Sequence, residues 1–266
     1  MNLSLQKFEA LFRNHPTTSL KDCSSRDYAN SKHEMLCYRS SDIQSFNFDE
    51  FNILDDKEKI EFLNHIILNS SISECITWAL FQAQKIDLLE LTNKKKILLN
   101  WSYVIENWWH ADHLSSIYNS ILNKNRVFYK DLQAMNKFPS LWQRRLSITS
   151  LYYYAKQCKN PIDIKLALPL VERLLLDDEY YVQKGVGWTL REMSQIDYGK
   201  TLEFMKIHAK HIAPAGFSAS IEKLNEEDRE ELKQLRKKGV SNPHEFEAHE
   251  KNTIKSHYLK HHEREE

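Results

Sequence analysis

The sequence predicts an all-α fold, and three observations predict it. Glycine is scarce: there are five in 266 residues, the first at Gly185, so the first two-thirds of the chain has no glycine for hairpin turns. From about residue 48, apolar residues recur at i, i+3, i+4 and i+7, the spacing of one helical face. These runs are about a dozen residues long, come in pairs and return every ~35–45 residues, which is the rhythm of helical repeats. The expected architecture is HEAT-like helical repeats stacked into a curved right-handed superhelix, in a chain long enough for one large core or two small ones.

The elements follow in order. MNLSLQKFEALFRN reads as a short helix ending before Pro16, and residues 15–45, rich in Ser, Asp and Asn, as loop with one or two short helices. The periodic part opens with KEKIEFLNHIILN (57–69) and SECITWALFQAQ (73–84). KKKILLNWSYVIENWW (94–109) reads as one helix and ADHLSSIYNSIL (111–122) as the next. VFYKDLQAMN (127–136) and LWQRRLSITSLYYYAKQ (141–157) are parted by Pro139. Pro161 is placed to open the helix of PIDIKLALPLVERLLL (161–176) at its first turn, where a missing N–H costs nothing. EYYVQKGVGWTLREMSQ (179–195) and YGKTLEFMKIHAKHI (198–212) come next, and Pro214 marks a further break. EEDREELKQLRKKG (226–239) is a charged helix with little apolar face, followed by a polar, histidine-rich tail. The expected division is an N-terminal helix and loop segment (1–47), a repeat domain (48–225), and the charged helix with its solvated tail (226–266).

Composition excludes several classes. Thirty-seven basic residues balance thirty-seven acidic ones, which gives a nucleic-acid partner no global support; between Lys124 and Arg191, however, basic residues outnumber acidic ones. Without glycine-rich loops the Walker and dinucleotide fingerprints are absent from the first two-thirds, and no serine or cysteine sits in a nucleophilic arrangement. Cys23, Cys37, Cys75 and Cys158 are irregularly spaced and read as reduced thiols. With no signal peptide and no membrane-length apolar run, a cytoplasmic monomer off the membrane is expected. Neither His257, His261 and His262 in the tail nor His110, Asp112 and His113 match a closed ligand set, so no metal and no cofactor is expected.

Three helical stretches place an aromatic ring one turn from a polar group. Trp108 and Asp112 are i,i+4; Trp142 and Arg145 are i,i+3; Lys184 and Trp188 are i,i+4, with Arg191 three residues further. Taken singly, each reads as a core tryptophan beside a snorkelling cation, and Arg191 with Glu192 as a pair supporting helix packing. Gly185 and Gly187 are harder to dismiss, because glycine inside a helix costs about 1 kcal/mol relative to alanine. Something approaches that backbone closely, either a neighbouring helix or a ligand.

The succession ENWWHADHL, then LWQRRLSI about thirty residues on, then YYVQKGVGWTLREMSQ resembles the DNA alkylation repair family of AlkD-like HEAT-repeat proteins. The resemblance covers roughly residues 55–225, and QK-G-x-GW-x-LRE is its most specific stretch. It implies a superhelix whose concave basic surface holds duplex DNA, and a monofunctional glycosylase that excises N3- or N7-alkylated purines without flipping the base. It also implies a cleft of a tryptophan and an aspartate one turn apart, an arginine and a second tryptophan, which fall on Trp108, Asp112, Arg145 and Trp188. Arg144, Lys156, Lys184 and Arg191 are the further DNA contacts expected, with Arg145 gripping a phosphate. Trp108 and Asp112 are expected to face the lesion while Trp109 turns toward the core. A second register pairs Trp109 with His113. Two other readings stay open: a catalytically silent relative that binds damaged or branched DNA, and a helical scaffold for protein partners.

Overall fold

The computed structural model describes residues 4–17, 20 and 31–238. Its helices are α1 (Leu5–Arg13), α2 (Ser40–Ser45), α3 (Asp49–Asn52), α4 (Asp56–Asn69), α5 (Ser73–Ala83), α6 (Leu88–Asn93), α7 (Lys95–Trp101), α8 (Trp108–Lys124), α9 (Tyr129–Met135), α10 (Leu141–Thr149), α11 (Ile164–Arg173), α12 (Tyr180–Ile196), α13 (Tyr198–His208), α14 (Pro214–Ser220) and α15 (Glu226–Lys238). Two 3₁₀ turns, Arg126–Phe128 and Ala155–Gln157, complete the set. Among the described residues there is no strand, only an isolated parallel bridge between Glu34 and Ile72. The chain is all-α. No described helix is long and apolar enough to cross a membrane.

Helix starts follow side-chain caps that satisfy otherwise orphaned N–H groups. The Ser4 hydroxyl accepts from the Lys7 N–H to open α1. Asp55 and Glu58 form a reciprocal capping box at α4. Asp87, Asp163 and Asp197 cap α6, α11 and α13, and Pro214 is the first residue of α14. Pro161 does not open a helix; α11 begins at Ile164, where the Asp163 carboxylate accepts the Lys165 N–H.

Two other boundaries differ from expectation. Residues 94–109 are not one helix. α7 stops at Trp101 and α8 starts at Trp108 and runs on through the presumed break at residue 110. The buried Asn107 is the cause: its side-chain oxygen accepts the His110 N–H at 2.8 Å while its amide donates to Ser73 Oγ. Likewise α10 ends at Thr149, eight residues early. There Tyr152 turns inward, fully buried, to donate its hydroxyl to the Ile162 carbonyl, and Tyr154 takes a left-handed backbone conformation at φ 49°.

The chain divides into two compact units, Met1–Ile121 and Leu122–Glu266. In the first, the N-terminal helix belongs to the core. Phe8 and Phe12 are fully buried, and the Phe8 ring lies 4.8 Å from Trp78 and edge-on to Phe46, Phe48 and Phe62 at 5.4–5.8 Å. Aromatic rings bury large apolar areas and prefer such tilted contacts. Beside this cluster, buried Glu74 accepts the N–H groups of Leu36 and Cys37 at 3.0 and 2.8 Å. Cys37 is disulfide-bonded, which corrects its reading as a reduced thiol and removes it as a ground for a cytoplasmic location. Cys75 and Cys158 are free thiols, and Cys23 lies outside the described residues.

In the second unit α12 packs against α10, α11, α13 and α14, its face of Val182, Val186, Leu190 and Met193 buried. The charged helix α15 is docked rather than solvated. Leu232 is fully buried, and the Arg236 guanidinium lies 4.7 Å from the Phe217 ring centroid while donating to the carbonyls of Ala209 and Ile212. The histidine-rich tail, with His257, His261 and His262, lies outside the described residues.

Candidate functional site

The sequence-predicted residues fall on two faces, one in each unit. In the first unit, Asn107 starts α8 directly before the tryptophan pair, so Trp108, Trp109, Asp112 and His113 belong to a single helix. The core side of that helix runs through Ala111, Leu114, Tyr118 and Ile121, all fully buried. At 100° per residue, Trp109 lies farthest from this side, Asp112 and His113 flank it one turn on, and Trp108 sits at the edge. All four are half-buried. Trp108 and Asp112 thus lie one turn apart, but Trp109 does not turn toward the core. The inward residue of the run is His110, fully buried, with Nε2 3.0 Å from the Ser73 carbonyl oxygen and 3.1 Å from Thr77 Oγ1. The two indoles meet edge to face at 5.7 Å. Among the described residues no cluster of three His, Cys, Asp or Glu side chains could hold a metal ion.

His113 is not a substitute carboxylate. Its ring packs 4.2 Å from Phe81, Gln84 Nε2 donates toward its Nδ1 at 3.3 Å, and burial lowers its pKa to about 4. It is neutral at physiological pH, and Asp112 is the carboxylate beside it on this face. The depression also makes stability pH-dependent. Between about pH 6.5 and about pH 4 the unfolded chain binds a proton that the folded chain refuses, so stability falls as pH falls through that window and levels off below it, by up to about 3 kcal/mol. Urea unfolding of the parent and of His113→Leu across pH 7 to 4 checks this. The variant should lose part of the slope, and identical slopes would remove His113 as its source.

In the second unit α10 and α12 run side by side, and their seam carries the other predicted residues. Trp142 packs 5.1 Å from Tyr181. Arg145 is only 6% exposed, and its Nη1 donates to the Tyr181 carbonyl at 2.8 Å. It lies under Gly185, where an added Cβ would come 3.3 Å from Arg145 Cγ. A guanidinium so placed positions α12 and does not present itself to a phosphate. Further along, half-buried Trp188 is flanked by Tyr153 at 5.4 Å, Tyr154 at 6.2 Å and the Arg191 guanidinium at 5.9 Å. The Ala155 N–H donates to Glu192 Oε2 at 2.9 Å, fastening the tyrosine turn to α12.

The expected DNA contacts separate by residue type. Arg144 gives Nε and Nη2 to Asp177 at 2.6 and 3.1 Å and Nη1 to the carbonyls of Phe138 and Pro139, so it is structural. Arg191 is held by Glu192 at 3.1 Å and Glu222 at 2.8 Å. Both arginines, expected as DNA contacts, have donors that face carboxylates and carbonyls within the fold. Lys156 and Lys184 are exposed. The two glycines are explained by a neighbouring helix and not by a ligand: a Cβ on Gly187 would lie 2.0 Å from the Gly216 carbonyl oxygen on α14. Asp177, Glu222 and Gly216 carried no signal in the sequence, because each acts on a partner about thirty residues away.

This is an all-helical chain with a tryptophan–carboxylate face in one unit and an aromatic–cation seam in the other. It belongs to the DNA alkylation repair enzyme family, whose model matches residues 16–224. That membership carries a role in repairing alkylated DNA, with DNA as the partner. No curated protein and no solved structure matches the chain.

Proposed function

We propose that the protein is a monofunctional DNA glycosylase that hydrolyses the N-glycosidic bond of N3- or N7-alkylated purines in duplex DNA without flipping the base. The observation that carries this reading is the α8 face, where the half-buried Asp112 carboxylate lies one turn from Trp108 and Trp109. An alkylated purine is cationic, so its bond to C1′ breaks with the electron pair leaving on the base and neutralising it. Positive charge passes to the sugar, where a fixed carboxylate stabilises it and orients the water that adds to C1′. Indole faces attract the cationic base by about 0.5–2 kcal/mol each. In this proposal Lys156 and Lys184 supply the phosphate contacts first assigned to Arg145, and Arg145 holds α12 in place through Tyr181 and Gly185.

Release of free base from duplexes carrying 7-methylguanine or 3-methyladenine tests it. The parent is expected to release both, and Asp112→Asn to release them about 10²–10³-fold more slowly with DNA affinity kept. Equal rates would remove Asp112 from the mechanism. Trp108→Leu and Trp109→Leu, run beside it, decide which indole meets the lesion. One observation favours a second reading, a silent relative that holds DNA through backbone charge: Tyr153 and Tyr154 crowd Trp188. Salt-sensitive binding without base release by the parent would select it.

A further inference from the structure

We propose that Tyr154 is a stacking residue for an unpaired DNA base, a binding site independent of base excision. Of the three rings clustered at the end of the α10–α12 seam, Tyr154 is the outermost. It is 50% exposed, whereas Trp188 is half-covered by Tyr153 and the Arg191 guanidinium. The Tyr154 ring stands edge-on to Tyr153 at 4.8 Å and to Trp188 at 6.2 Å, so its neighbours fix its orientation without covering it. Its backbone is at φ 49°, a left-handed conformation that disfavours any side chain with a Cβ. Packing on Tyr153 and Trp188 covers only part of the ring, which remains half in solvent. Strain retained at an exposed residue is the kind found at ligand contacts.

The surrounding structure over-determines this placement. On one side, Tyr152 anchors the turn by its buried hydroxyl bond to Ile162. On the other, the Ala155 N–H is held by Glu192, which accepts from Arg191, and Arg191 in turn donates to Glu222. The Tyr154 ring is therefore presented from a fixed base. Lys156, two residues on in the chain, and Lys184, one helical turn before Trp188, are exposed.

The occupant follows from chemistry. DNA is the partner of this family, and an exposed aromatic ring suits a nucleic-acid base, since every base has a π-face to stack on. Within a duplex both faces of each base are covered by its neighbours, so an external ring can stack only on a base that has left the stack. Base–aromatic stacking is worth a roughly fivefold to hundredfold change in affinity. The ligand class is therefore DNA with a single unpaired nucleotide.

The experiment uses the full chain, at one fixed salt concentration, and a fluorescein-labelled duplex with one unpaired 2-aminopurine beside the same duplex fully paired. The parent is expected to bind the unpaired-base duplex at least about fivefold more tightly and to quench its 2-aminopurine emission. Tyr154→Gly, which suits the left-handed backbone, should bind both duplexes alike without quenching, and Tyr154→Phe should behave as the parent. Equal affinity of the parent for both duplexes, or a preference that survives in Tyr154→Gly, overturns the proposal. Base release from alkylated duplex is a separate readout: its absence would sink the glycosylase reading and leave this one standing.

Discussion

Asp177→Ala is expected to destabilise the second unit by about 3–5 kcal/mol, because it leaves a charged Arg144 without its carboxylate in a place water scarcely reaches. The pair is 13% and 6% exposed, and the contact is two-pronged, Nε to Oδ2 at 2.6 Å and Nη2 to Oδ1 at 3.1 Å. Asp177 also accepts the Glu179 N–H at 3.0 Å and, through its carbonyl, the Gln183 amide at 2.9 Å, so its loss loosens the entry to α12 as well. Urea unfolding measures the effect. A double-mutant cycle with Arg144→Met should recover part of it, since the second substitution removes the stranded charge. A loss below about 1 kcal/mol would place the pair among surface ion pairs and reopen Arg144 as a DNA contact.

Gly187→Ala is expected to cost about 3 kcal/mol or more, lowering the melting temperature by roughly 6–12 °C. The added methyl would sit 2.0 Å from the Gly216 carbonyl oxygen and 2.7 Å from its carbonyl carbon and Cα. These are backbone atoms of α14 and cannot rotate aside, so the two helices must part. Gly185→Ala supplies the contrast. Its nearest neighbour is the Arg145 side chain at 3.3 Å, which can shift, and alanine recovers about 1 kcal/mol of helix propensity. The two glycines, two residues apart in one helix, should therefore differ by several kcal/mol. Similar melting temperatures for the two variants would contradict the close crossing.

The positions of most helices were legible because their determinants are local. Apolar periodicity places α5 and α12, and together with a capping side chain within three residues it places α1, α4 and α13. The exceptions have non-local causes. α10 stops early because Tyr152 bonds Ile162 and Glu192 takes the Ala155 N–H. The gap before α8 has a local cap, Asn107, but Ser73 helps to hold that residue in place.

The candidate site divides along the same line. That Trp108 and Asp112 stand one turn apart is a property of the helix alone, and the sequence by itself determined it. Which residue of the run faces inward was decided by tertiary structure, since Ser73 and Thr77 offer partners to His110 that no spacing reveals. The same holds for the cations. Arg144, Arg145 and Arg191 look like phosphate contacts in the sequence, but Asp177, Tyr181 and Glu222, each about thirty residues later, already occupy their donors. A guanidinium carries its charge wherever it is placed, whereas its availability depends on what the fold sets opposite it. Sequence alone therefore determined the fold class, the family and the aromatic–carboxylate pairing; tertiary structure decided which charges are free to act.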